Sequence, residues 1–132
     1  MESSSFAHRL AISGALPRLQ VGMDSTVNMC LLAPLSGPVE SWGLPGLHGC
    51  RIWEDWLNNA GGVLIGGRRY PIRIHAHDCG YDPQSALEGA MRLVQERDVK
   101  LLMMLGGDSF TPVSDYLMDR RILTSTRLPS DL

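Results

Sequence analysis

His75 and His77 stand two residues apart in IRIHAHD, so on an extended chain both imidazoles face the same side, with Asp78 and Asp82 close behind. Imidazoles and carboxylates are ligands that zinc takes, but a zinc site needs three or four of them, oriented by outer partners. That set is incomplete here, and the two histidines read as surface residues of a solvated strand, so no metal site is assigned. Ser, His and Asp all occur, yet no GxSxG elbow arranges them for nucleophilic attack. Gly43, Gly46 and Gly49 are spaced GxxGxxG, which is not the dinucleotide pattern GxGxxG, and GGVLIGGRR lacks the GK[ST] of a triphosphate loop. Neither catalysis nor a nucleotide cofactor is expected, which leaves recognition. For that, PLSGPVESWGLPG from Pro34 to Gly46 offers Ser36, Gly37, Ser41 and Trp42, small hydrogen-bonding groups beside one large aromatic. Trp42 can serve as the wall of a small-molecule pocket or fold back onto its own loop, and its residue type suits both. GGDSF from Gly106 to Phe110 leads into a helix start, where Ser109 can donate to a ligand or simply cap the helix together with Thr111.

These residues have to be positioned by an alternating series of elements. VNMCLLA, Val27 to Ala33, is a short apolar run that predicts a buried strand. The Gly/Pro-rich passage Pro34 to Gly46 predicts a long loop, and Leu47, Cys50, Trp53, Trp56, Leu57 and Ala60 then recur at helical spacing as an apolar face, with the two tryptophans in the core. Gly61 and Gly62 stop that helix, and GGVLIGGRR predicts a hairpin-like excursion. Tyr70 to Asp78 alternates as a half-exposed strand near a sheet edge. Asp82 and Pro83 form a cap and first-turn pair for a helix running to Arg97. VKLLMML, Val99 to Leu105, predicts a strand buried on both faces, followed by a helix from Thr111 to Arg120 and a strand from Ile122 to Thr126. This β-α-β-α-β-α-β order predicts an α/β fold, a doubly wound parallel sheet of strand order 2-1-3-4 with helices on both faces. Ligands of such sheets bind beyond the carboxyl ends of the strands, at the point where the winding reverses. That places function in the loops after the first, third and fourth strands.

The composition agrees with recognition by one soluble unit. With 132 residues, 44% hydrophobic and 20% charged, the chain is about one domain. A net charge of -2 and scattered arginines give no basic field for nucleic acid. Cys30, Cys50 and Cys79 show neither CxxC nor Cys/His clustering, and the first two lie in a strand and on an apolar helix face, where free thiols are commonly buried. Residues 1–26 read as a leader or a poorly ordered segment, with His8 and Arg9 ahead of LAISGAL, and residues 27–132 as the folded part.

APLSGPVESWG, NNAGGVLIGGRRYPIRI and HDCGYDPQSALEGAMRLV together resemble the amino-terminal lobe of type 1 periplasmic binding proteins, nearest to the branched-chain amino acid, amide and urea-binding branch. PLSG, NNAGG and the D-x-x-x-D-P of Asp78 to Pro83 are the most specific pieces, and the likeness runs from about Val27 to the last residue. The resemblance implies the solute-binding component of an ABC importer, periplasmic, with a permease as partner, no cofactor and no turnover. It places solute contacts at Trp42, near Gly107 and Ser109, and near Leu128 and Ser130, beside the Ser36 that the loop itself offers. Gly107 stands where many amino acid binders carry a hydroxyl for the α-carboxylate. Cys79 stands near a position that is disulfide-bonded in some relatives. The family continues through more of this lobe and a second lobe, so the chain reads as an incomplete amino-terminal lobe that binds solute weakly by itself. Two other readings are a cytoplasmic ligand-sensing lobe of an amide-type regulator and a small doubly wound enzyme.

The placement of the cysteines on a strand, a helix and a loop predicts three free thiols. Titration under denaturing conditions without reductant should count three, and a count of one would reveal a bridge.

Overall fold

The computed structural model describes residues 25–106 and 110–127. At its centre is β1 (Val27–Ala33), whose alternating side chains enter two different cores. Cys30 and Leu32 point to one face, and Met29, Leu31 and Ala33 to the other. A strand covered on both faces must be apolar throughout, which is why VNMCLLA does not alternate with polar residues. β1 pairs in parallel with β4 (Ile72–Asp78) on one side and β5 (Val99–Leu105) on the other, and β6 (Leu123–Arg127) pairs in parallel with β5. The order β4-β1-β5-β6 is the expected 2-1-3-4 once the hairpin strands β2 (Val63–Ile65) and β3 (Arg68–Tyr70), which form their own antiparallel sheet, are set apart.

Helices cover both faces. α1 (Glu40–Asn59) packs on the Met29, Leu31 and Ile74 side, whereas α2 (Pro83–Arg97) and α3 (Phe110–Asp119) enclose Cys30, Leu102 and Met104 on the other. α2 begins as the sequence predicts, with Asp82 accepting from the Ser85 N–H at 2.7 Å and Pro83 in the first turn, where its missing N–H costs nothing. The GGVLIGGRR excursion is a hairpin whose two turn residues, Gly66 and Gly67, both have positive φ (57° and 80°), the conformation a primed two-residue turn demands. The strand expected from Tyr70 to Asp78 is divided at Pro71: Tyr70 belongs to the hairpin, and the parallel strand starts at Ile72. Burial pushes the Cys30 thiol up to about 12, and all three cysteines are free.

Two expectations are corrected. The passage read as a loop to Gly46 is helical from Glu40, with Gly43, Pro45 and Gly46 inside α1. A Cβ on Gly43 would lie 1.7 Å from the Pro34 carbonyl oxygen, and one on Gly46 would lie 2.2 Å from Leu105 Cδ1. These glycines therefore let the helix approach the end of β1 and the flank of β5, and packing overrides their poor helix propensity. Trp53 and Trp56, expected in the core, are 39% and 65% exposed, while Glu54 between them is 5% exposed.

The reason lies at the rim of the sheet. β4 has a neighbour on one side only, so its outward N–H and C=O groups need other partners. Asn58 supplies both for Ile72, donating to its carbonyl at 2.9 Å and accepting from its N–H at 2.8 Å. Glu54 accepts from the Ile74 N–H at 3.2 Å, and Arg51 donates to the Ile74 carbonyl and to Glu54, each at 2.7 Å. One polar face of α1 thus stands in for an adjoining strand, and the tryptophans are turned outward as a result.

Glu54→Ala should lower stability by about 1–3 kcal/mol, the cost of orphaning a buried backbone donor. Urea unfolding beside Asp55→Ala, at the exposed next position, checks this. Equal losses from the two variants would mean that Glu54 carries no edge role.

Candidate functional site

The carboxyl ends of the four parallel strands share one rim of the sheet, and Asp78, the last residue of β4, organises the described part of it. Its carboxylate accepts from the Leu35 N–H at 2.8 Å, from the Ser36 hydroxyl at 2.5 Å and from the Gly80 N–H at 2.9 Å. The Ser36 bond, with help from the backbone N–H groups of Leu35, Gly80 and Ser36, holds the Asp78 carboxyl below its usual range against a smaller opposing effect of burial. The Cys79 N–H donates to the Ala33 carbonyl at 3.0 Å and carries the strand pairing one step further. The PLSG turn leaving β1 is therefore pinned to the end of β4. Gly37, with φ 83° and nothing within 4 Å of an added Cβ, forms its open crest.

A second tie crosses the rim. Gly106, at φ 118° directly after β5, faces Tyr81, whose ring would stand 2.9 Å from a Cβ at that position. Tyr81 itself has φ 61°, so the turn between β4 and α2 is bent to bring this ring over the end of β5. The described part of the rim thus joins the turns after β1 and β4 to Gly106 at the end of β5.

The expected site residues fall as follows. Ser36 lies on the rim and is exposed, but its hydroxyl donates to Asp78. Its oxygen keeps lone pairs, so toward a ligand it is an acceptor. Trp42, expected in a loop, is in the first turn of α1 and 63% exposed. The reason is the early start of the helix, whose opening turn is made by Glu40 and Trp42 N–H groups donating to the Gly37 and Val39 carbonyls at 3.2 and 3.0 Å. Gly107, Ser109, Leu128 and Ser130 lie outside the described residues. Asp78 and Tyr81 were not singled out as site residues, although both belong to the HDCGYDP motif.

The histidines do not converge. His75 Nε2 meets the Asn28 side-chain oxygen at 2.9 Å, whereas His77 lies against Gly89, with Nε2 on the Ser85 carbonyl at 3.2 Å and Nδ1 receiving Arg92 at 2.9 Å. Both ring nitrogens of His77 are engaged in packing α2 onto β4. Among the described residues no group of three or more His, Cys, Asp or Glu could hold a metal, and no helix is long and apolar enough to cross a membrane.

The family model described as periplasmic binding protein matches residues 26–132. Among solved structures, the branched-chain amino acid transporter substrate-binding protein LivJ of Streptococcus pneumoniae, in complex with isoleucine, superposes with a TM-score of 0.68 at 17% identity, over 80% of this chain and 30% of that one. A putative branched-chain amino acid ABC transporter protein of Silicibacter pomeroyi gives 0.67 at 24% identity, over 77% and 25%. A solute-binding protein of Rhodopseudomonas palustris in complex with benzoate gives 0.62 at 22% identity, over 77% and 27%. The chain thus spans under a third of the length of these structures. No match was found among curated proteins.

Because Asp78 titrates below its ordinary 3.8, its hold on the PLSG turn is complete above that value and is lost as pH falls through the lower folded value. The amide resonances of Leu35 and Gly80 should shift together with one midpoint below 3.8, and Asp78→Asn should abolish that midpoint. A midpoint at or above 3.8 would mean that the clamp does not form in solution.

Proposed function

The chain belongs to the periplasmic binding protein family, and on that premise we propose that it is the amino-terminal solute-recognition lobe of an ABC importer's substrate-binding protein. The reading rests on one observation above all: the rim where such sheets bind ligands is held by the lobe's own bonds, with the PLSG turn tied to Asp78. A pinned turn does not have to be ordered on binding, and that ordering would otherwise subtract from affinity.

The division of labour follows from the bonding. The Ser36 hydroxyl donates to Asp78, so its oxygen offers an acceptor to a solute ammonium or amide N–H. Trp42, exposed at the start of α1, supplies an apolar wall and an indole donor. Gly107 and Ser109 after β5, with Leu128 and Ser130 after β6, complete this lobe's contacts. The solute class is a small polar molecule, an amino acid, amide or urea-like compound. The relatives solved with isoleucine and with benzoate support a solute of this size. A second lobe closes over the solute, and the loaded receptor docks on a permease outside the cytoplasm. No step in this reading makes or breaks a covalent bond.

Calorimetry of the receptor containing this lobe with isoleucine, benzoate, acetamide and urea tests the reading. One of them should bind, and Trp42→Ala should weaken that binding by about 1–3 kcal/mol, the scale of one large apolar contact. Unchanged affinity with an unchanged fold would remove Trp42 from the site.

A further inference from the structure

Away from the solute rim, a cleft of about 740 Å³ runs along the outer edge of β4 between α1 and α2. Arg51, Arg73 and Arg97 line it, against the carboxylates Glu54 and Asp55. Edge protection accounts for Arg51 and Glu54, which bond to each other and to Ile74. It does not account for Arg73 or Arg97. Arg73 reaches round the edge to within 3.7 Å of a Glu54 oxygen that already accepts from Ile74. Arg97, in the last turn of α2, has no ion pair among the described residues.

Convergence of like charges costs free energy unless something offsets it. Its effect is visible on His75, which lines the same cleft: after burial, Arg97 and then Arg73 are the largest influences lowering its pKa. A backbone donor completes the arrangement. Ile72 and Ile74 send their outward groups to α1, and the two-residue period of a strand makes Ala76 the next residue facing outward. Ala76 lines the cleft, and among the described residues the polar side chains of α1 bond to Ile72 and Ile74 of this strand.

We propose that this cleft binds the oxyanion group of a small molecule, a carboxylate or a phosphate, between the guanidinium groups of Arg73 and Arg97 and the outward N–H of Ala76. Guanidinium forks match the geometry of such oxygens, and a strand N–H adds a fixed third donor. Glu54 holds Arg73 at the edge. The site lies midway along β4, whereas the solute rim lies at its carboxyl end, so both can be occupied together.

The test uses the full chain, labelled with nitrogen-15, titrated with inorganic phosphate and separately with succinate, each at ionic strength held constant with sodium chloride. Saturable shifts of the Ala76 amide and of the Arg73 and Arg97 Nε–H groups are expected, and comparison of the two titrations identifies the preferred oxyanion. Arg97→Ala, which breaks no ion pair in the structure, should weaken the apparent affinity at least tenfold, and Arg73→Ala should do the same. In thermal unfolding, the preferred anion should raise the midpoint of the wild type and leave that of Arg97→Ala unmoved. Shifts that rise linearly, or spread equally to Arg92 and Arg69, or survive Arg97→Ala, would show general screening of surface charge and overturn the proposal.

Discussion

A strand at the rim of a sheet carries a row of backbone donors and acceptors that must find partners, and β4 finds them on a helix. Asn58, Glu54 and Arg51 meet the outward groups of Ile72 and Ile74 much as a neighbouring strand would. This fixes both the height and the rotation of α1. With that polar face turned to the edge, Leu47, Cys50 and Leu57 reach the Met29, Leu31 and Ile74 core, and Trp42, Trp53 and Trp56 face outward. The glycines at 43 and 46 are then required, because the helix axis lies too close to Pro34 and Leu105 for a Cβ. The edge is also closed to an additional strand over these two residues, which guards it against pairing with another chain.

The carboxyl end of the same strand has a different task. Asp78 ties down the turn that leaves β1, and Tyr81, three residues on, lies over the start of the turn that leaves β5. β4 is therefore a lateral anchor in its middle and an organiser of the rim at its end. The solute reading depends on the second role, because a recognition surface made of three turns is useful only if the turns keep their relative positions. The histidines of β4 belong to the scaffold. His77 joins the strand to Ser85 and Arg92 of α2.

Much of this was legible in the sequence, because it is encoded locally. Apolar runs of strand length, the Asp82-Pro83 start of α2 and the paired glycines of the hairpin each carry their instruction within a few residues, and alternation of strands with helices restricts the sheet to few orders. The start of α1 was not legible. Its N-cap is Val39, which makes no side-chain cap, and its first turns contain Gly43, Pro45 and Gly46, all poor helix formers. The tryptophans misled for a related reason: their spacing marks an apolar face, but which face turns inward was decided by the demand of β4 for polar partners.

At the site, the sequence by itself placed Ser36 in the turn that leaves β1 and Trp42 shortly beyond it, with no recognised catalytic motif around them. Only the tertiary structure decided what those residues can offer. Asp78 is separated from Leu35 and Ser36 by 43 and 42 positions, and parallel pairing of β1 with β4 is what brings them together. That contact spends the hydroxyl donor of Ser36 and leaves its oxygen as an acceptor. The same pairing leaves Ala76 facing outward beside two arginines from different elements. A local pattern can specify a strand or a helix, because backbone geometry repeats over a few residues. Which side chains meet across the sheet depends on register and on the rotation of each helix, and these are set by the packing of the whole unit.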